Sequence, residues 1–103
     1  MALLETIEAG ALNVLEFLLT VIREIDAPEV LHALKRTLDD SREITSGVPA
    51  GAKPRRRLSD LAVNAFIRRL QLDVDFELSD SRRYTAAQVG QVRRKINASI
   101  PQR

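Results

Sequence analysis

The chain has 103 residues, 45% of them apolar, and a formal net charge of +2. This composition is that of a globular protein and excludes wholesale disorder. The chain contains no cysteine, which excludes disulfides, thiol chemistry and thiolate metal sites, and its length fits one domain or two small ones.

The sequence offers no set of residues for catalysis or for holding a cofactor. Its single histidine, His32, has no second metal ligand at a suitable spacing, and there is neither a glycine-rich phosphate loop nor a Gly-x-Ser-x-Gly motif. We therefore predict a protein that is not an enzyme and that binds no cofactor or metal. The N-terminus has no signal-peptide pattern, and the most apolar run, Leu12 to Ile25, is too short to span a bilayer. These features predict a soluble, cytoplasmic protein of bacterial type.

Charge is distributed unequally between the two halves of the chain. Residues 1–50 contain nine acidic and four basic residues, a net charge of −5, whereas residues 51–103 contain twelve basic and five acidic residues, a net charge of +7. This asymmetry indicates a division of labour in which the basic half binds nucleic acid or another polyanion. The alternative is a chance segregation of charge on two solvated surfaces.

Residues 2–44 are predicted to form an acidic helical hairpin. Apolar residues in the first helix are spaced by three and four, which is a heptad pattern, and a second apolar row lies beside them. The turn Asp26-Ala27-Pro28-Glu29 ends this helix, because proline cannot continue a helix but suits the first turn of the next one. Asp26 and Glu29 are expected to cap the second helix, which fades around Ile44. So short a turn makes the two helices antiparallel neighbours.

The apolar face of the first helix is wider than one hairpin can cover. We therefore predict a homodimer with a four-helix arrangement. The alternative is that this face packs on the C-terminal half of the same chain. The residues predicted to form the dimer interface are Leu4, Ile7, Ala11, Val14, Leu15, Leu18, Val21, Ile22 and Ile25.

Residues 45–57 are predicted to form a flexible basic linker, because they are rich in glycine, proline and small residues and lack periodicity. The linker ends in Lys53-Pro54-Arg55-Arg56-Arg57, a cluster that can contact several phosphates of a nucleic acid. The alternative is a run of charge that only keeps the chain soluble.

Residues 58–100 are predicted to form a small basic module of helix, β-hairpin and helix. Ser59 is expected to cap a helix over residues 60–69, and Thr85 with Gln88 forms a capping box for the final helix. Between them, apolar residues alternate with polar and acidic ones, which predicts a strand with one buried face. A short returning strand over residues 82–84 would close the hairpin. The apolar residues of the predicted strand are Leu70, Leu72, Val74, Phe76 and Leu78. The predicted fold is therefore mainly α with one β-hairpin, and its second module is winged-helix-like.

One segment of the basic half resembles a known family. The sequence Arg82-Arg83-Tyr84-Thr85-Ala86-Ala87-Gln88-Val89-Gly90-Gln91-Val92-Arg93 is similar to R-x-Y-[ST]-x-x-[DQ]-[IV]-x-x-[LV]-R. That pattern follows the wing in MerR-type regulators and in the DNA-binding region of plasmid-partition ParA-type proteins. The resemblance covers residues 82–96. It implies a winged-helix DNA-binding region in which Arg83 and Tyr84 contact phosphates while Val89 and Val92 lie in the core.

Charge and resemblance together predict a dimeric protein that binds double-stranded DNA, mainly through its phosphate backbone, in gene regulation or plasmid maintenance. Aromatic residues are too few for a base-stacking surface, and Phe17, Phe66 and Phe76 are predicted to lie in the core. The alternative function is a protein–protein adaptor or antitoxin-like module whose helices bind a protein partner. The residues predicted to contact DNA are Arg55, Arg56, Arg57, Arg68, Arg69, Arg82, Arg83, Tyr84, Arg93, Arg94 and Lys95.

Overall fold

The computed structural model describes residues 7, 9–44, 51, 57–79 and 83–99. Within these ranges the chain forms the helices α1 (Leu12–Thr20), α2 (Pro28–Leu34), α3 (Leu58–Leu70) and α4 (Ala86–Ser99). Two 3-10 helices, η1 (Ile22–Glu24) and η2 (Lys35–Asp39), follow α1 and α2. No helix in the described part of the chain has the length and hydrophobicity needed to cross a membrane.

Helix α3 is the central element, because α1, η2 and α4 all pack against it. Apolar side chains occur on more than one side of α3, and a helix of this kind is stable only when other elements surround it. Val63 and Phe66 are fully buried. The side chain of Asn64 is buried too, but its amide donates to the carbonyl of Ser79 at 3.0 Å and its oxygen accepts a bond from the Tyr84 hydroxyl at 2.6 Å.

One hydrophobic core contains residues of both halves of the chain. Helix α1 contributes Leu15 and Leu19, η2 contributes Leu38, and α4 contributes Val92 and Ile96. Burying a side chain of this size stabilises a fold by about 1.5–3 kcal/mol. Because α1 and η2 both contact α3 more than they contact each other, the acidic hairpin depends on the basic half for its packing.

The first helix of the predicted hairpin is not continuous. Gly10 has a left-handed φ of 75°, and its N–H donates to the carbonyl of Ile7 at 3.0 Å, as at a helix C-terminus. Ala11 is extended, and α1 begins at Leu12. The prediction of one continuous first helix is therefore wrong, since glycine adopts this left-handed conformation without the steric cost that other residues meet.

Two predicted helix starts are confirmed. Helix α2 begins at Pro28, although its N-cap is Ala27 and not Asp26. At the start of α4, the Thr85 N–H donates to the Gln88 side chain at 2.9 Å, and the Gln88 N–H donates to the Thr85 hydroxyl at 3.2 Å. Proline and capping boxes act within a few residues, which is why the sequence alone locates these helix ends.

The predicted β-hairpin, and with it the winged-helix-like form of the second module, is wrong. Helix α3 includes Leu70, and Gln71 ends it in a left-handed conformation with a φ of 53°. No strand forms in the described residues 72–79 and 83–85. Burial nevertheless alternates in this segment: Leu72 and Phe76 are half-buried, and Asp73 is exposed. The sequence pattern therefore predicted correctly which side of the segment faces the core.

Side chains of Gln91 and Tyr84 take the place of a partner strand. The N–H of Asp75 donates to the Gln91 side chain at 3.0 Å, and the N–H of Ser79 donates to the Tyr84 hydroxyl at 2.9 Å. Backbone groups must find hydrogen-bond partners, and these contacts satisfy them without a ladder. The only β-type pairing in the described ranges is an isolated antiparallel bridge between Glu43 and Arg57.

Candidate nucleic-acid interface

A buried carboxylate organises the N-terminal end of α3. Asp60 is fully buried and accepts hydrogen bonds from the backbone N–H, Nε and Nη2 of Arg57 at 2.8–3.0 Å. It also accepts the N–H of Tyr84 at 2.8 Å. A second bond from Arg57 Nη2 reaches the carbonyl of Tyr84 at 2.9 Å. Asp60 thus fixes both the Arg57 guanidinium and the chain that leads into α4.

The charge of this carboxylate is maintained by its partners. Burial on its own raises the pKa of Asp60, but hydrogen bonds from Arg57 and from the backbone of Tyr84 outweigh it, so the pKa lies below the ordinary value of 3.8. The hydrogen bond to Asp60 in turn raises the pKa of Arg57. Both groups are therefore ionised at neutral pH.

The same end of α3 gathers arginines from three distant parts of the chain. The guanidinium of Arg83 contacts the Glu43 carboxylate at 2.6 Å, and Glu43 pairs with Arg57 through the isolated bridge. The backbone carbonyl of Arg42 accepts the N–H of Leu58 at 2.9 Å, while its guanidinium contacts the Asp40 carboxylate and the Gly10 carbonyl, both at 2.6 Å. We call Arg42, Arg57 and Arg83 the arginine junction.

The arginine junction contains one residue from each of two basic clusters that are separate in the sequence. Arg57 ends the cluster at residues 53–57, and Arg83 follows Arg82. The predicted phosphate contacts Arg55, Arg56 and Arg82 lie outside the described residues.

Tyr84 has a structural role in place of the predicted phosphate contact. It is only 3% exposed, its hydroxyl donates to Asn64 at 2.6 Å, and its ring packs on Phe76 with centroids 5.3 Å apart. This position leaves no side-chain surface for a phosphate, and we remove Tyr84 from the proposed contacts.

Arg69 also acts within the fold. Its guanidinium donates to the carbonyls of Ile22 at 3.2 Å and Ile25 at 2.9 Å, and so holds the end of η1 against α3. Arg68 is exposed at the same end of α3. Arg68 follows Arg57 by eleven positions along the helix, which corresponds to roughly 16 Å. These two predicted contacts therefore lie far from the arginine junction.

The basic residues of α4 divide between two sides of the helix. The Arg93 guanidinium contacts the Asp39 carboxylate of η2 at 2.6 Å. Arg94 and Lys95 are exposed and form no ion pair in the described part of the chain. They line a surface cleft of about 420 Å³ together with Asp73, Val74, Asp75 and Gln91. The acidic row of the predicted strand thus lies beside cations of α4 and offsets their charge.

A second cleft lies between η2 and α4, next to the arginine junction. Its volume is about 290 Å³. Arg57 and Arg93 line it, together with the hydroxyl-bearing Ser41 and Ser59. We call it the η2–α4 cleft. Sequence reasoning placed Ser59 only as a helix cap and did not identify Ser41, because the lining residues come from segments that only the tertiary fold brings together.

Most residues of the predicted dimer interface are buried or partly buried within one chain. Ile7, Leu15, Leu18 and Ile22 are buried in the chain's own core. Val14 and Ile25 are partly buried against that core, Val21 is half-exposed and Ala11 is exposed, while Leu4 lies outside the described residues. Helix α3 therefore covers the apolar face, as the alternative interpretation expected, and the homodimer stays a prediction. Phe17, predicted to be core, is 62% exposed.

Comparisons of the chain with protein-family models, with curated proteins and with solved structures found no match. The resemblance of residues 82–96 to MerR-type and ParA-type regulators stays a prediction.

Proposed function

We propose that this chain is a non-enzymatic protein that binds double-stranded DNA through the phosphate backbone, in gene regulation or plasmid maintenance. The observation that supports this proposal most directly is the arginine junction. It brings Arg57 and Arg83, one residue from each of two basic clusters of the sequence, to one end of α3. A concentration of guanidinium groups on one surface suits the closely spaced charges of a duplex.

The ion pairs of the junction do not prevent this binding. The side chains of Arg83 and Glu43 are 46% and 51% exposed, and an exposed pair of this kind contributes only about 0.2–1 kcal/mol. A phosphate can therefore replace Glu43 as the partner of Arg83 at small cost. Arg57 is different, because the buried Asp60 holds it, and it serves mainly to anchor the basic segment that precedes it.

Contacts to the backbone, rather than to bases, fit the exposed residues best. Base stacking needs several exposed aromatic rings, whereas Phe66 and Tyr84 are buried, Phe76 is half-buried and Phe17 is the single exposed aromatic residue in the described part of the chain. Guanidinium groups bind phosphate oxygens with good geometry whatever the base sequence. We therefore propose binding with little dependence on DNA sequence.

The test is a salt titration of binding to a random-sequence duplex, measured by fluorescence anisotropy. We expect the logarithm of the affinity to fall linearly with the logarithm of the salt concentration, with a slope of about 0.9 per phosphate contact. Arg83→Glu should weaken binding and flatten the slope. The matched control is Arg23→Glu, since Arg23 is exposed on η1, near the opposite end of α3.

Two results would contradict the proposal. One is the absence of any duplex binding by the unaltered chain at low salt. The other is an equal effect of Arg83→Glu and Arg23→Glu, which would mean that only net charge matters and that the arginine junction is not an interface.

The second candidate function is a protein–protein adaptor, which the exposure of Phe17 favours. A single exposed apolar side chain is common on monomeric proteins and does not make a patch, so we rank this function second. Phe17→Ala would leave duplex binding unchanged under the first proposal and would disrupt partner binding under the second.

A further inference from the structure

We propose that the η2–α4 cleft is a binding site for one phosphate group. The inference rests on the proposed function in one respect, which is that the phosphate belongs to a DNA strand. The cleft adjoins the arginine junction, because Arg57 takes part in both. At about 290 Å³ it is much larger than the volume of one water, about 30 Å³.

Ser59 provides a hydroxyl that is open to the cleft. The residue is only 4% exposed, and its backbone N–H donates to the carbonyl of Asp40 at 2.9 Å. Its hydroxyl lines the cleft and forms no hydrogen bond in the described part of the chain. A ligand with hydrogen-bonding oxygens in the cleft would provide one.

Two guanidinium groups line the cleft, and each uses only part of its hydrogen-bond donors in contacts within the described residues. Arg57 uses Nε and Nη2 for its contacts with Asp60 and Tyr84, which leaves Nη1 without a partner in the described residues. Arg93 uses Nη2 for its contact with Asp39. Guanidinium donors on a cleft wall and a hydroxyl beside them match the oxygens of a phosphate.

A third cation, Lys35, lies near Arg93 of the cleft. Lys35 donates to Asn97 of α4 at 2.5 Å. Burial and the nearby charge of Arg93 lower the pKa of Lys35, as expected where like charges are only partly neutralised. An anion in the cleft would relieve this repulsion.

Asp39 is the one carboxylate on the cleft wall, and it competes with the ligand. Its side chain is 72% exposed where it contacts Arg93. A carboxylate so exposed can turn into solvent and release Arg93 to a phosphate. Phosphate binding therefore replaces the Asp39 carboxylate as the partner of Arg93.

The experiment uses the full chain and two probes, inorganic phosphate and a DNA duplex. Phosphate is titrated at constant ionic strength against chloride, and the backbone amide and arginine side-chain signals are followed by NMR. We expect saturable shifts at Ser59 and Arg93 with phosphate and none with chloride. Ser59→Ala should weaken both phosphate and duplex binding by about tenfold, the cost of losing a hydrogen bond to a charged group. Ser99→Ala, at an exposed position of α4, is the control and should change neither.

Asp39→Asn gives an effect of the opposite sign. Removing the competing charge should strengthen phosphate and duplex binding several-fold. Asp26→Asn removes an equal charge from a 99% exposed side chain elsewhere and should have little effect.

The outcomes distinguish the proposal that the cleft binds phosphate from the proposal that the chain binds DNA. If the duplex binds but Ser59→Ala and Asp39→Asn behave like their controls, the chain binds DNA and the cleft is not a phosphate site. If phosphate shifts Ser59 and Arg93 but no duplex binds, the cleft takes free phosphate and the DNA proposal is overturned. The absence of saturable NMR shifts at Ser59 on addition of phosphate overturns the proposal that the cleft binds phosphate.

Discussion

Among single residues, Asp60 connects the most distant parts of the chain. It lies in the first turn of α3, yet it accepts bonds from Arg57 before the helix and from Tyr84 near the start of α4. The helix cap, the anchor of the basic segment and the entry into α4 thus depend on one buried carboxylate.

Removing this carboxylate should destabilise the fold strongly. Asp60→Ala leaves the Arg57 guanidinium and the Tyr84 N–H without their acceptor. Loss of one partner from a buried ion pair typically costs about 3–5 kcal/mol, and we expect the lower end because the Arg57 side chain is 25% exposed. Urea unfolding at neutral pH measures the loss. Asp26→Ala, which removes an exposed carboxylate, is the control.

In the unaltered chain, the same interaction should make the free energy of unfolding depend on pH. The pKa of Asp60 in the fold lies below 3.8, so the unfolded chain takes up the proton first as the pH falls. The stabilising contribution is complete above this value and is lost as the pH drops through the folded pKa. A free energy of unfolding that stayed constant below pH 4 would contradict the interpretation of Asp60.

The sequence predicted these residues only in part. The basic cluster that contains Arg57 and a helix over residues 60–69 could be identified, because both are local patterns. The acceptor role of Asp60 toward Tyr84 could not, since 24 positions separate the two residues. The prediction that Ser59 caps this helix is wrong, because the helix begins at Leu58 with Arg57 as its N-cap. The place of Ser59 in the cleft depends on contacts between distant segments and was not predicted.

At the scale of elements, the end of α3 is the clearest site of local strain. Gln71 is the one non-glycine residue with a positive φ in the described part of the chain, at 53°. A side chain in this conformation costs about 1–2 kcal/mol, and glycine is the usual residue at such a position.

Gln71→Gly should therefore stabilise the protein by roughly 1 kcal/mol, because the relief of strain exceeds the added freedom of the unfolded chain. Thermal and urea unfolding measure the change. Ala87→Gly, at an exposed position inside α4, should have the opposite sign, since glycine weakens a helix. Destabilisation by both variants would show that the Gln71 side chain contributes contacts that outweigh its strain.

The segment after α3 shows what a sequence pattern can and cannot predict. Alternation of Leu72, Val74 and Phe76 with acidic residues indicated correctly which side faces the core. It carried no information on the hydrogen-bond partner of the backbone, which here includes side chains such as Gln91 of α4. A strand needs a second strand beside it, and the sequence does not specify one.

At the scale of the whole molecule, acidic residues of the first half form ion pairs with basic residues of the second half. Asp39 and Glu43 of the acidic half contact Arg93 and Arg83 of the basic half. The sequence predicted two separate surfaces, an acidic one for association and a basic one for nucleic acid. The shared core brings these surfaces together. This arrangement depends on contacts between distant residues, so local sequence patterns do not predict it.

We expect the chain to unfold as one cooperative unit. A fragment of residues 58–103 should not fold, because α3 would lose its packing against α1 and η2 and expose side chains such as Val63 and Phe66. Circular dichroism of the fragment and of the full chain under urea makes the comparison. A fragment with native helicity and its own cooperative transition would instead support two independent modules.

The bridge between Glu43 and Arg57 has a consequence for protein engineering. The two residues, at the ends of the stretch that joins them, therefore lie beside each other in the fold. Doubling the length of such a loop adds only about 0.6 kcal/mol of closure entropy. Gly51 within this stretch is exposed, and a side-chain carbon there would meet no atom within 4 Å. A reporter peptide inserted after Gly51 would leave the core intact and monitor ligand binding at the adjacent arginines.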